Sequence, residues 1–546
     1  MVARGNDDSV RRPLEQPEAV AERRELERGH PLARRVGLIL GPLLFLFLLL
    51  GPDIGLDALQ RRAAAITALT ATFWLTVAIP VGATSLLPAA LFPLFGVLSA
   101  RDAASVYMHD LVMLFLGAFV VALGLERWGV HRRLALWLIS RIGTRPRTLV
   151  LGFMVAAAVL SMWINNTATT LMMLPIGVAV VGAVGAREGA GEGEREGGGA
   201  FAPALLLGIA YAASIGGMTT PVGTAPNQVF LGQFELHFPD APAIGFGEWV
   251  LAWLPLGVLL VVAAWWLLAR VLFRVPAGSN AGAEAIRAER ARLGPMGRGA
   301  KTMAAIFALT ALLWVTRADL RVGGFTLPGW AGALARLQAR GIGLPADFEG
   351  HVTDSTVALT MAALCFLIPV DRARGVFLMA WKTAGRLPWD VLLLIGSGFC
   401  IAKGFSASGL DSVLGGAMAP LLAGSSDWVV VGGLVSAMTF LTEITSNTAT
   451  TNVFLPVLAR ASVEGGLHPL VMMAPVTVAA SAAFMLPVAT PPNAVVYSSR
   501  LVSIPTMAKA GFFLNLVSIV LITLVFQLWV RGLWGVTPTL PAWAAP

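Results

Sequence analysis

Long apolar runs separated by short polar segments occupy almost the whole chain. The first run, from Val36 to about Leu50, follows a polar stretch, residues 1–35, that carries Arg4, Arg11, Arg12, Arg23, Arg24, Arg28, Arg34 and Arg35. Further runs suited to crossing a bilayer lie near 63–83, 84–100 and 105–126. An apolar hairpin covers about 148–185, and two more runs lie near 201–232 and 247–273. A polar, arginine-rich segment at 274–301 then divides the chain. Beyond it come runs near 302–316, 355–370 and 389–408, a hairpin near 428–462, and runs near 470–498 and 511–533. This pattern predicts an all-α polytopic membrane protein, with about 11 transmembrane helices plus two re-entrant hairpins. Residues 1–35 read as a disordered cytoplasmic tail and 36–52 as an uncleaved first transmembrane helix, because Gly51-Pro52-Asp53 makes a poor cleavage site.

Composition sharpens the class. The chain is 56% hydrophobic and 13% charged, which excludes a soluble protein of 546 residues. The net charge of +8 comes from arginines gathered in short loops, so membrane topology explains it and a nucleic-acid partner does not. Cys365 and Cys400 lie in apolar context without metal-ligand spacing.

Comparing the halves is more informative. Residues 161–176 read SMWINNTATTLMMLPI and residues 442–457 read TEITSNTATTNVFLPV. Farther on, VGTAPN at 222–227 matches VATPPN at 488–493. The extra length between the first pair fits the Gly/Glu/Arg-rich insert around Arg187–Gly199. A third echo sets Gly117, Gly124 and Gly129 against Gly396, Gly404 and Gly409. Residues 62–273 and 302–533 therefore read as two repeats, joined by a cytoplasmic linker at 274–301. An odd number of crossings in each repeat would invert the second copy. Basic residues at 127–147, the linker, 372–386, Arg500 and Lys509 share one side, while 231–248 and 404–428 lack them. Arg61, Arg62, Arg336 and Arg340 depart from that division. The expected topology is a cell (inner) membrane protein with its N-terminus cytoplasmic and an external C-terminal tail at 534–546.

Asn, Ser, Thr, Gly and Pro inside apolar segments need a reason, because unpaired backbone groups in hydrocarbon cost several kcal/mol each. A broken helix lining a cavity provides one. Its end amides suit carboxylates, while its carbonyls and Asn, Ser or Thr oxygens suit a hard cation. The matched tips Asn165-Asn166-Thr167 and Ser446-Asn447-Thr448 are candidates for such a site. No motif supplies a Lys or Arg to balance a dianion, so co-bound cations are the expected counter-charge.

At these residues the chain resembles the divalent anion/sodium symporter family, from about 62 to 533. The resemblance implies a sodium-coupled carrier of small di- or tricarboxylates, homodimeric, with scaffold and transport domains working as an elevator. It implies one sodium site near Ser161, Asn165, Asn166 and Gly223, and another near Thr442, Thr445, Asn447 and Ala489. Substrate would sit at Asn165, Asn166, Thr167, Ser446, Asn447 and Thr448, near Thr224, Thr490 and Pro491. Asn165 stands where the family usually has Ser, and Ala225 where it often has Pro.

Each signal has a plainer counterpart. Polar residues in membrane helices often serve only as packing contacts, but duplication at matched distances favours a site. Glu443 reads as a structural hydrogen-bonding group more than a proton carrier, and Lys403 as a snorkelling or paired lysine more than a built-in cation. His131 and His351 read as solvated loop residues. The same fold could also serve sodium-independent dicarboxylate exchange or sulfate-type anion transport. An intramembrane enzyme finds no HExxH, catalytic Ser/His pairing or phosphate loop to support it.

Overall fold

Prolines, glycines and capping side chains decide where the apolar runs become helices and where they break. The computed structural model describes residues 31–187, 199–276, 282–322, 325–338, 348–422 and 424–545. The proposed tail therefore lies outside the described residues up to position 30, as does nearly all of the Gly/Glu/Arg-rich insert. Helix α1 spans Pro31–Leu50, starting ahead of the expected position, and packs on α2, Ala58–Thr76. Asp57 opens α2 with a capping box closed by Gln60. Arg61 donates to Leu48 O at 2.9 Å and Gly51 O at 2.6 Å, and Arg62 to Phe95 O at 3.2 Å. These two arginines, which sit outside the loop-charge pattern, thus satisfy carbonyls at helix ends.

The runs expected at 63–83 and 84–100 are not two long spans. After α2 the chain forms short helices, Val81–Thr84, Leu87–Leu94 and Ala100–Ser105, in a region punctuated by Pro80, Pro88 and Pro93. Then follow α3, Asp110–Arg127, and α4, Val130–Ile142, joined at Gly129 with φ 64°. His131 lies in α4 and not in a loop. Its Nδ1 is 3.0 Å from Leu125 O, and burial pushes its pKa below the ordinary histidine value.

The first hairpin comprises α5, Pro146–Ser161, and α6, Asn166–Arg187. Next come α7, Phe201–Met218, and α8, Ala225–His237, separated by an irregular segment. Helix α9, Phe246–Trp266, ends in a π-helical turn at Leu267–Leu272. The linker is not merely polar chain, since it forms α10, Gly282–Arg292, whose buried Glu289 accepts from Arg132 of α4 at 2.5 Å.

The second half runs through α11, Arg298–Val315, α12, Asp354–Leu367, α13, Trp389–Ser408, and α14, Leu410–Leu422. Gly409, with φ 70°, joins α13 to α14 as Gly129 joins α3 to α4. Only glycine adopts this left-handed geometry without strain, which explains the last of the three matched glycine pairs. The second hairpin is α15, Asp427–Leu441, and α16, Asn447–Glu464. Helices α17, Pro469–Ala479, and α18, Pro491–Tyr497, flank the second irregular segment. Helix α19, Ile504–Val525, ends in a π-helical turn at Phe526–Val530, as α9 does. The run expected at 470–498 is therefore two helices, not one span. The element order of the first half recurs in the second, down to the glycine joints and the π-turns.

Eight helices among the described residues are long and apolar enough to cross a membrane. Hairpin arms α5 and α15 have 16 and 15 residues, short of the roughly 20 that a bilayer core requires. Helix α7 is almost wholly enclosed and forms the centre of the molecule, while α1 stays at its edge. Among the described residues the fold is helical apart from two short antiparallel strand pairs, Leu320–Val322 with Phe325–Leu327 and Pro369–Asp371 with Val376–Phe377. Neither pair was legible in the hydrophobic pattern.

Candidate functional site

Each hairpin tip is a helix start whose first residue caps it. Asn165 Oδ1 accepts from the Thr167 amide at 2.8 Å, and Ser446 Oγ from the Ala449 amide at 3.5 Å. Asn and Ser are both good N-caps, which explains why matched positions carry different residues. One turn on, Thr170 Oγ1 donates to Asn166 O at 2.8 Å and Thr451 Oγ1 to Asn447 O at 2.7 Å. The hydroxyls of Thr167 and Thr448 are half-buried and donate to nothing among the described residues.

In the first half the structure gathers Ser161, Asn166 and Gly223. Ser161 Oγ donates to Asn166 Oδ1 at 2.5 Å. A Cβ on Gly217 would come within 2.7 Å of that same Oδ1 and 3.1 Å of Gly223 O, so Gly217 lies against both the Asn166 side chain and Gly223. Asn165 contributes its side-chain oxygen to the cap. Thr224 is the extended residue before α8, with φ −147° and ψ 147°. Thr490, the residue before α18, has nearly the same geometry, φ −139° and ψ 146°, and Pro491 starts that helix.

In the second half Asn447 Oδ1 is buried without a hydrogen-bond partner. Thr442 is fully buried, with its hydroxyl turned into its own helix toward Met438 O at 3.0 Å and Thr439 O at 3.2 Å. Thr445 Oγ1 donates to Leu441 O at 2.8 Å and accepts from Thr450 Oγ1 at 2.8 Å. Ala489 is buried and its amide bonds Leu486 O at 3.2 Å. The two halves meet crosswise: α8 packs on hairpin helix α16, and α18 packs on hairpin helix α6.

Two residues that the repeats marked, but whose role sequence reading missed, hold the irregular segments. Asn227 Nδ2 donates toward the carbonyls of Gly217, Met218 and Thr220 at 3.1, 3.3 and 2.8 Å. Asn493 Nδ2 does the same toward Ala483 O at 3.3 Å and Leu486 O at 3.1 Å. The last residue of VGTAPN and of VATPPN is thus a staple across the break. Each tip is also tied to its own segment. Thr220 Oγ1 donates to Met162 O at 2.5 Å in the first half. In the second, buried Glu443 accepts from the Phe484, Met485 and Leu486 amides at 2.7, 2.9 and 3.2 Å. Glu443 is therefore a structural hydrogen-bonding group.

Covering differs between the halves. Trp163, beside the first tip, stacks on Phe246 at 5.8 Å and on Trp314 at 6.4 Å. Its counterpart Ile444 is 68% exposed, and Val488 and Pro491 are uncovered as well. Lys403 lies apart, paired with Asp102 at 2.8 Å. Among the described residues no three His, Cys, Asp or Glu side chains converge.

Residues 33–536 match the family described as the sodium:sulfate symporter transmembrane region. The chain belongs to that family. Within this symporter family it is similar to the sodium-dependent dicarboxylate transporter SdcS of Staphylococcus saprophyticus, 38% identical over 522 residues covering 94% of this chain and 95% of the relative. SdcS of Staphylococcus aureus strain bovine RF122 is 39% identical over 499 residues, 90% of each chain. Among solved structures, Neisseria gonorrhoeae MtrF, reported with a class of antimetabolite efflux pumps, aligns with TM-score 0.56 at 12% identity over 93% of this chain and 97% of its own. At that identity the likeness concerns the fold alone.

Proposed function

We propose that this symporter-family member carries small dicarboxylates of the succinate, malate and fumarate class together with sodium. The carrying observation is the pair of capped hairpin tips, rich in neutral oxygens and without a fixed cation, in a chain 38–39% identical to sodium-dependent dicarboxylate transporters over nearly its whole length. Ser161, Asn166 and Gly223 form the first sodium site, with Asn165 as the cap that shapes it. Thr442, Thr445, Asn447 and Ala489 form the second. The Thr167 and Thr448 hydroxyls, with Thr224, Thr490 and Pro491, face the substrate between the tips. Sodium neutralises a dianion that the low-dielectric site could not otherwise hold.

The halves are inverted repeats with re-entrant hairpins, and the hairpin domain moves as an elevator against a scaffold in a homodimer. The basic end faces the cytoplasm, which puts the C-terminus outside. No catalytic step is assigned, because neither tip pairs a nucleophile with a base. A thermal-shift screen of succinate, malate, fumarate, citrate and sulfate, each with sodium or potassium, tests the reading. Stabilisation by four-carbon dicarboxylates in sodium alone is expected. A response to sulfate but to no dicarboxylate would overturn the substrate class.

A further inference from the structure

One end of the molecule collects arginines beyond what its ion pairs use. The structure brings 126–147, 270–276, 282–301 and the 372–386 loop together there. Arg133 donates to Leu293 O at 2.6 Å, Arg147 to Val275 O at 2.5 Å and Trp128 Nε1 to Leu378 O at 2.9 Å. In segments 126–147 and 270–301 the carboxylates are Glu126, Glu284 and Glu289, and each already has a partner. Arg127, Arg141, Arg145 and Arg270 have no carboxylate partner among the described residues.

A second, independent feature marks the same end. Every arginine–tryptophan stack among the described residues lies there: Arg127 over Trp128 at 5.6 Å, Arg141 over Trp137 at 5.3 Å, and Arg270 over Trp265 at 5.8 Å. Helix α4 buries Ala135, Leu136 and Ile139 while Trp137 stays 45% exposed. Arg141 and Arg145 are both exposed, at the elbow where α4 turns into hairpin arm α5. A tryptophan half out of the protein suits the headgroup level of a bilayer. A guanidinium stacked on such a ring is held flat, with its fork of donors free for a phosphate.

We propose that the α4–α5 elbow, with Trp137, Arg141 and Arg145, is a binding surface for the phosphate headgroup of anionic phospholipids. Charge complementarity selects the lipid over a protein partner, because the aromatic anchor and unpaired guanidiniums lie together at one exposed elbow. Since α5 is the arm of the first hairpin, a headgroup held here touches the base of the element whose tip carries Asn165 and Asn166.

The test uses the full chain, purified in neutral detergent, with bound phosphatidylglycerol and phosphatidylcholine counted by native mass spectrometry. The wild type is expected to retain phosphatidylglycerol selectively. Each basic residue near an anionic surface is worth about fivefold in binding. Arg141→Gln with Arg145→Gln should therefore weaken retention by about tenfold or more, and Trp137→Leu, which leaves the charge unchanged, severalfold. Arg372→Gln with Arg374→Gln removes the same charge elsewhere at this end and should leave retention intact. Arg141→Lys with Arg145→Lys keeps the charge and provides a second variant should the glutamines disturb folding; it should lose part of the selectivity. Unchanged retention in the elbow variants, or equal loss in the control, would overturn the proposal. Displacement of the lipid by millimolar glycerol phosphate would do so too, by marking a site for free phosphate. The readout is independent of transport.

Discussion

Glu443 Oε1 accepts from Asn515 Nδ2 at 2.7 Å, which joins the second hairpin tip to α19 through the same carboxylate that gathers the amides of Phe484, Met485 and Leu486. Hydrogen bonds to a charged group contribute about 1.5–3 kcal/mol each, and a donor left unpaired costs more. Glu443→Gln places an amide group against backbone donors and should lower stability by several kcal/mol, seen as a clear fall in melting temperature. Asn515→Ala removes one donor and should cost about 1–3 kcal/mol. Wild-type stability in Glu443→Gln would mean that the carboxylate is not what holds this segment.

Asn447 presents the opposite situation. Its Oδ1 is buried and makes no bond among the described residues, so Asn447→Ala should change stability little while sodium-driven uptake falls more than tenfold. Melting temperature and uptake measured on one preparation separate the two effects. Equal loss of both would make Asn447 a packing residue.

The first tip tests the role of capping. Asn165→Ser should keep both stability and transport, since Ser446 already caps the matching helix. Asn165→Ala should cost about 0.5–2 kcal/mol and reduce transport further than Asn165→Ser does. Identical behaviour of the two variants would mean that the cap contributes nothing.

Gly217 tests whether Asn166 is held in a fixed place. An added methyl would come within 2.7 Å of Asn166 Oδ1. Gly217→Ala should therefore raise the sodium concentration needed for half-maximal uptake by about tenfold, as expected for loss of one charged-group contact. An unchanged sodium dependence would remove Asn166 from the first sodium site.

The shared local geometry of the two halves was legible in the sequence where they repeat one another. The paired Asn-Thr tips, the Pro-Asn breaks and the glycine joints each had a copy, and the structure gives Asn227 and Asn493, or Gly129 and Gly409, the same local task. What the sequence concealed was contact between distant elements. Trp163 has no aromatic counterpart, since Ile444 stands in the second half, so its stack with Phe246 and Trp314 left no repeated signal. Glu443 matches Met162, and its nest of amides forms only once α17 and α18 fold back on the tip. The runs near 63–100 misled because a window of apolar residues does not register that Pro80, Pro88 and Pro93 interrupt hydrogen bonding. Helix α4 is amphipathic and too polar to read as a span.

Neutral oxygens at the tips should hold a dianion only with sodium. Uptake of labelled succinate into proteoliposomes, under an inward sodium gradient and then under equal potassium or choline, tests it most directly. The account predicts accumulation in sodium alone. When net positive charge enters, uptake should rise with inside-negative potential, by about 2.3 kcal/mol per charge per 100 mV. Equal uptake in choline would contradict it.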